Sequence, residues 1–265
     1  NRRISERTES MLIKQAKCDK LTYKVFDNRT AMGEDAAKDV AAAIKKLLAE
    51  KDEINMIFAA APSQNDFLSA FIADSSVDFT RINAFHMDEY IGLDGNAPQA
   101  FGRFLRDRLF SKVPFKSVNY INGNAPDINA ECDRYAKLLA EHKCDIVCMG
   151  IGENGHIAFN DPAFAKFDDE KAVKTVELDQ ICRHQQVNDG CFDSIDKVPT
   201  HAVTLTIPTL VAPEYVFCIV PAPTKAKAVH TMLNGEIGEY CPCTILRRHS
   251  NAVLYTDSDS FSLCD

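Results

Sequence analysis

Glycine and proline are sparse in this chain, 11 of each in 265 residues, and they never gather into a Pro/Gly/Ser-rich stretch. That excludes collagen-like repeats and low-complexity scaffolding, and it leaves no obvious interdomain linker. No apolar run approaches the roughly 18 residues a membrane helix needs, and the opening NRRISERTES lacks the apolar centre of a secretory signal. Positive charge is also short: 30 Lys and Arg face 38 Asp and Glu, a net charge of −8. This is the wrong sign for binding nucleic acid or an acidic membrane. Ten cysteines are present without a single Cys-x-x-Cys, the nearest pair being Cys241-Pro-Cys243. Zinc and thioredoxin-like readings therefore lapse, and reduced cysteines packed as small hydrophobes in a soluble, cytoplasmic protein are the expectation.

What is present is an ordinary globular composition, 46% hydrophobic and 26% charged, in which helical and strand periods alternate. LTYKVF, INMIFAA, RINAFHM, SVNYI, CDIVCMG, AVKTVEL, HAVTLTI, YVFCIV and NAVLY read as strands. Between them, apolar residues recur at helical spacing, as in Met32, Ala36, Val40, Ile44 and Leu47. Alternation of this kind predicts βαβ units. The expected fold is α/β with three layers: a mostly parallel, Rossmann-like sheet with helices on both faces. Residues 21–265 are expected to form one domain, preceded by a helical arm over residues 1–20.

In a parallel α/β sheet, ligands bind beyond the carboxyl ends of the strands. INMIFAA is followed by Pro62-Ser63-Gln64-Asn65-Asp66. Ser63 is placed to cap the next helix, with Asp66 at its third position, and such a turn either receives an anion or serves as a plain cap. RINAFHM is followed by Asp88 and Glu89, which fall on opposite faces of an extended strand, so at most one of them does chemistry. Asp88 at a strand end reads as a general base or as a structural salt-bridging residue. CDIVCMG runs into GIGENGHIAFNDP, where Gly150, Gly152 and Gly155 match the dinucleotide spacing. A polar continuation through His156, Asn160 and Asp161 replaces the helix that NAD binding requires. What remains is a glycine turn presenting an imidazole that titrates near neutrality. After YVFCIV, Lys225 and Lys227 open a helix, where a cation is either solvated or balanced by an anionic ligand.

FHMDEYIGL (85–93), PQAFGRFL (98–105), GIGENGHIAFNDP (150–162), VPTHAVTLTI (198–207), KAKAV (225–229) and CTILRRH (243–249) together resemble the glucosamine-6-phosphate deaminase family, itself related to 6-phosphogluconolactonases. The resemblance implies an aldose-ketose isomerase that converts an amino-sugar 6-phosphate and water into a ketose 6-phosphate and ammonia, with no cofactor and no metal. It assigns Asp88 as the base that moves a proton from C2 to C1 and His156 as the ring-opening imidazole. Asn154 and Asp161 stand at the positions that orient and tune that imidazole, Asp161 being one methylene shorter than the usual Glu. Ser63, Gln64, Lys225, Glu89 and Gly155 fall at substrate or phosphate positions. Two departures stand out. Ala59-Ala60-Ala61-Pro62-Ser63-Gln64 replaces a loop rich in Thr and Gly, and RHQQVNDGCF (183–192) lacks the family's second phosphate-binding Arg, for which Arg183 and Arg247 are the candidates. A related isomerase, a lactone hydrolase and a sugar-phosphate sensor without turnover remain as alternatives, and a homo-oligomer is left open.

Overall fold

The computed structural model describes residues 11–265. Its first half contains β1 (Leu12–Cys18), β2 (Leu21–Phe26), α1 (Arg29–Leu48), β3 (Ile54–Phe58), α2 (Asn65–Ile72), β4 (Ile82–His86), β5 (Asp88–Tyr90), α3 (Phe101–Leu105), β6 (Ser117–Asn119) and α4 (Ile128–Glu141). The second half contains β7 (Ile146–Met149), β8 (Val173–Glu177), α5 (Gln180–Asn188), β9 (His201–Leu205), α6 (Ile207–Val211), β10 (Tyr215–Val220), α7 (Ala226–Asn234) and β11 (Ala252–Asp257). Eight strands form one sheet in the order β1-β2-β11-β10-β7-β3-β4-β6, and β5-β9-β8 form a small antiparallel sheet. Every pairing in the large sheet is parallel except β1 with β2. No described helix is long and apolar enough to cross a membrane.

Strand alternation generates the three layers. Met56, Phe58, Ile146, Cys148, Phe217 and Ile219 join one apolar cluster with residues of α1, α2 and α3. Their neighbours Ile57, Val147, Met149, Val216, Cys218 and Val220 join the other, with residues of α4, α6 and α7. A central parallel strand must therefore be apolar on both faces, which is why these strands are unbroken apolar runs. Caps set the helix starts: Asn28, Asp127 and Asp179 accept the N–H of Ala31, Ala130 and Cys182 respectively.

The expected amino-terminal helix gives way to a strand where the structure describes it; residues 1–10 lie outside the described residues. Residues Leu12–Cys18 pair antiparallel with β2 through a two-residue turn, Asp19-Lys20, in which Asp19 takes φ +52°. An edge strand needs only one partner, so its burial alternates weakly, and that is why LIKQAKC carried little strand signal.

Helices α1 and α2 approach closely at Gly33, where an added Cβ would stand 2.7 Å from backbone atoms of Asp66 and Phe67. Gly33→Ala is expected to lose roughly 1–3 kcal/mol of stability by overpacking, against a helix-propensity gain of about 1 kcal/mol. Urea denaturation measures the balance, and an unchanged or raised midpoint would show that the two helices separate freely.

Candidate active site

The chain leaves β2, β3, β4 and β6 in one direction across the sheet and returns through β7, β10 and β11 in the other, so β3 and β7 are neighbours at the reversal. A crevice opens there at the carboxyl ends. It encloses roughly 480 Å³ open to solvent and is lined by Ala59–Ala61 and Ser63 after β3, Met87 and Asp88 after β4, Gly150–Gly152 and His156 after β7, and Lys225 after β10. Gln185 and Gln186 of α5, with Phe101 and Phe159, close its outer wall. These stretches converge because each begins where its strand ends.

Asp88 is aimed by a histidine the sequence left unexplained. The Ile121 N–H can only donate, so Nε2 of His86 accepts it at 3.0 Å. Nδ1 therefore carries the proton and donates to the Asp88 carbonyl at 3.0 Å. Burial lowers the His86 pKa to about 4, keeping the ring neutral in this bridging role. Between His86 and Asp88 the chain passes from the large sheet to the small one. Glu89 lies outside the crevice: its carboxylate accepts the N–H groups of Tyr90, Phe101 and Gly102 at 2.8–3.0 Å and so caps α3. The Asp88 carboxyl is pushed well above its ordinary pKa by burial, and secondarily by the Glu89 charge.

His156 sits in a loop shaped by two glycines. Gly155 takes φ +80°, and Gly152 lies directly under the imidazole, so that a Cβ there would overlap the ring. Nδ1 faces Oδ1 of Asn154 at 2.5 Å and Oδ1 of Asp161 at 3.3 Å. With Nδ1–H donated to Asn154, Nε2 holds the lone pair. Burial, reinforced by the Lys225 charge, lowers the His156 pKa to about 3. Asp161 is fully buried, and desolvation, then the Asp179 charge, pushes its pKa up to about 7. Strand β9 fastens this loop: Thr204 Oγ1 accepts the Phe159 N–H at 3.1 Å, and the Asn160 amide donates to the Leu205 carbonyl at 2.8 Å. The same Thr204 is the register partner of Asp88.

Lys225 is 4% exposed and has no carboxylate within ion-pairing distance among the described residues. Desolvation lowers its pKa. It follows a turn in which Ala222 takes φ +86°, held by its N–H on the buried Asp257 carboxylate at 3.2 Å. Ser63 reaches the crevice but caps nothing: it lies inside the 3-10 turn Pro62–Gln64, and α2 starts at Asn65 without a side-chain cap. Asp66 pairs with Arg29 at 2.6 Å. Gln64 ties the ends of β7 and β10 by donating toward Met149 and Ile219 carbonyls, and Gly155 packs against Cys241 and Cys243 behind the loop. Neither candidate arginine lines the crevice. Arg183 donates to the Ile195 and Val198 carbonyls, and Arg247 pairs with Asp19 at 2.7 Å.

His156, Asp161 and Cys182 bring potential ligand atoms within 4.8 Å of one another. Burial raises the pKa of the Cys182 thiol well above its ordinary value, and His156 Nδ1 already has its partner in Asn154. Gln185 and Gln186 are the pocket residues that motif reading missed; a neutral amide pair in a weakly amphipathic helix carries no signature beyond the Asp179 cap.

Because the imidazole rests on the bare Cα of Gly152, Gly152→Ala is expected to displace it and to cost at least about 10² in turnover, with the melting temperature falling far less. Steady-state kinetics beside thermal denaturation checks this; full activity would mean that the ring position is immaterial.

Residues 27–255 match the family described as glucosamine-6-phosphate isomerases/6-phosphogluconolactonase. A glucosamine-6-phosphate deaminase of Bacillus cytotoxicus is 36% identical over 195 residues, covering 74% of this chain and 72% of its own. One from Bacillus cereus is 36% identical over 190 residues, covering 72% and 71%. The solved structure of a monomeric glucosamine-6-phosphate deaminase superposes with a TM-score of 0.82 at 30% identity, over 91% of this chain and 99% of that one. A 6-phosphogluconolactonase from Thermotoga maritima shares the fold, with a TM-score of 0.73 at 18% identity over 89% and 99%. With the family pattern spanning nearly all the strands whose ends build the crevice, the chain belongs to the glucosamine-6-phosphate isomerase/6-phosphogluconolactonase family.

Proposed function

We propose that the protein is an amino-sugar-6-phosphate deaminase that converts glucosamine 6-phosphate, or a close epimer, and water to a ketose 6-phosphate and ammonia. The observation that carries this reading is a buried ammonium, Lys225, without a carboxylate partner among the described residues, in the same crevice as a buried carboxyl and a neutral imidazole. A buried charge is tolerated where something completes it, and the phosphate of a sugar phosphate does so. Its sugar end then lies toward Asp88 and His156.

The chemistry divides between these two groups. Nε2 of His156 takes the proton of the anomeric hydroxyl O1 and returns it to the ring oxygen O5 as the C1–O5 bond breaks, the nearby Asp161 carboxylate supporting the imidazolium formed in between. Asp88, ionised, removes the proton from C2 of the open aldose and returns it to C1, while the substrate's own ammonium gives a proton to O1. The C1=O1 double bond is thereby exchanged for an iminium at C2, which water hydrolyses to the ketose and ammonia. Desolvation, which raises the Asp88 pKa, makes it a stronger base than a carboxylate in water. Close relatives named as deaminases support this reaction over lactone hydrolysis.

Ammonia release from glucosamine 6-phosphate tests the reading, with unphosphorylated glucosamine as the control. Release is expected only from the phosphorylated sugar; hydrolysis of a sugar-phosphate lactone without ammonia formation would replace the reading. Asp88→Asn is expected to lower turnover by about 10² to 10⁴ and to abolish exchange of the C2 hydrogen with deuterated water. Exchange at the parent rate would assign proton transfer to another group.

The pH dependence follows from the burial of the acids. Asp161 ionises only as pH rises through about 7, whereas His156 stays neutral down to about 3, so the imidazole itself gives no acid limb in the working range. Activity is expected to rise with pH through an inflection near 7 that is missing in Asp161→Asn. A kcat/KM profile with the same inflection in both proteins would remove Asp161 from the ring-opening step.

A further inference from the structure

The crevice has one cation for its anchor, and a phosphate presents three oxygens that need donors. The polar side chains lining it are Ser63, Asp88, His156, Gln185, Gln186 and Lys225. Asp88 and His156 are taken by the reaction proposed above. Gln185 is committed to the scaffold, because its Oε1 accepts the Glu153 N–H at 2.7 Å and ties α5 to the histidine loop. Gln186 is 8% exposed, lines the crevice, and its side-chain amide makes no hydrogen bond among the described residues.

The register of α5 places that amide on the Lys225 side. Cys182, Gln186 and Asp189 recur at four- and three-residue spacing and so share one helix face. Gln186 of that face and Lys225 line the same crevice. The two arginines that might have supplied a second charge are bound to backbone carbonyls and to Asp19 elsewhere.

We infer that Gln186 is a substrate-binding residue whose side-chain N–H groups donate to the phosphate beside Lys225, so that this site reads its anion with one charge and neutral donors, the Ser63 hydroxyl among them. The inference rests on the sugar-phosphate reading for its substrate, but the phosphate-binding arm of its test does not. A fully charged second donor would hold the anion more tightly. A neutral one leaves the larger share of the affinity to Lys225 and adds hydrogen bonds to the anion without a second charge.

The experiment uses Gln186→Met, a near-isostere without hydrogen-bonding groups, and Gln186→Asn, which retracts the amide by one methylene. Binding of inorganic phosphate is measured by titration calorimetry, and kcat and KM by ammonia release from glucosamine 6-phosphate. For both variants, phosphate affinity is expected to fall about tenfold and KM to rise by a similar factor, with kcat within about twofold of the parent. Parent-like phosphate affinity in either correctly folded variant would overturn the inference, as would a loss confined to kcat. Weakened phosphate binding in the variants of a protein that releases no ammonia would leave the inference standing and sink the deaminase reading instead.

Discussion

Keeping an ammonium out of water without a counter-ion costs several kcal/mol, and the crevice is organised around that cost at Lys225. The residue is fixed by backbone rather than by a salt bridge: the left-handed Ala222, held on the Asp257 carboxylate, turns the chain so that Lys225 faces inward. Its charge, added to burial, keeps His156 neutral, and the same exclusion of water raises the pKa of both Asp88 and Asp161. Burial at the crevice thus sets the resting protonation of Asp88, Asp161 and His156 together. An anion entering the crevice relieves the cation and lets the imidazole accept a proton more readily.

Much of this layout was legible in the sequence because parallel strands announce themselves. Apolar runs buried on both faces marked β3, β4, β7 and β10, and the rule that ligands gather beyond strand ends pointed to the stretches carrying Ser63, Asp88, His156 and Lys225. Failures came where a local rule met a tertiary event. Glu89 looked available until α3 supplied unpaired N–H groups for its carboxylate. Nothing in RINAFHMDEY signals the change of sheet at Met87, so the strand reads as continuous. Ser63 looked like a cap because a short 3-10 turn ahead of α2 has no signature distinct from a helix start.

The amino-terminal segment and α5 were obscure for another reason. Leu12–Cys18 has one strand partner and an exposed face, so neither helical nor strand periodicity is enforced. In α5 the informative residues are two amides, which neither titrate nor alternate. The absent arginine drew attention to charge, whereas the helix supplies hydrogen-bonding capacity. Lactonase neighbours at low identity share the scaffold, so the fold alone does not choose the chemistry.

Strand β9 has a consequence beyond holding loops in place. Thr204 is in register with Asp88 and also receives the Phe159 N–H of the histidine loop, so base and imidazole are referenced to the same few atoms. Lys225, by contrast, is referenced to β10 in the large sheet. Asp88 and His156 are thus tied to a common strand, whereas the path from either of them to Lys225 crosses from the small sheet to the large one.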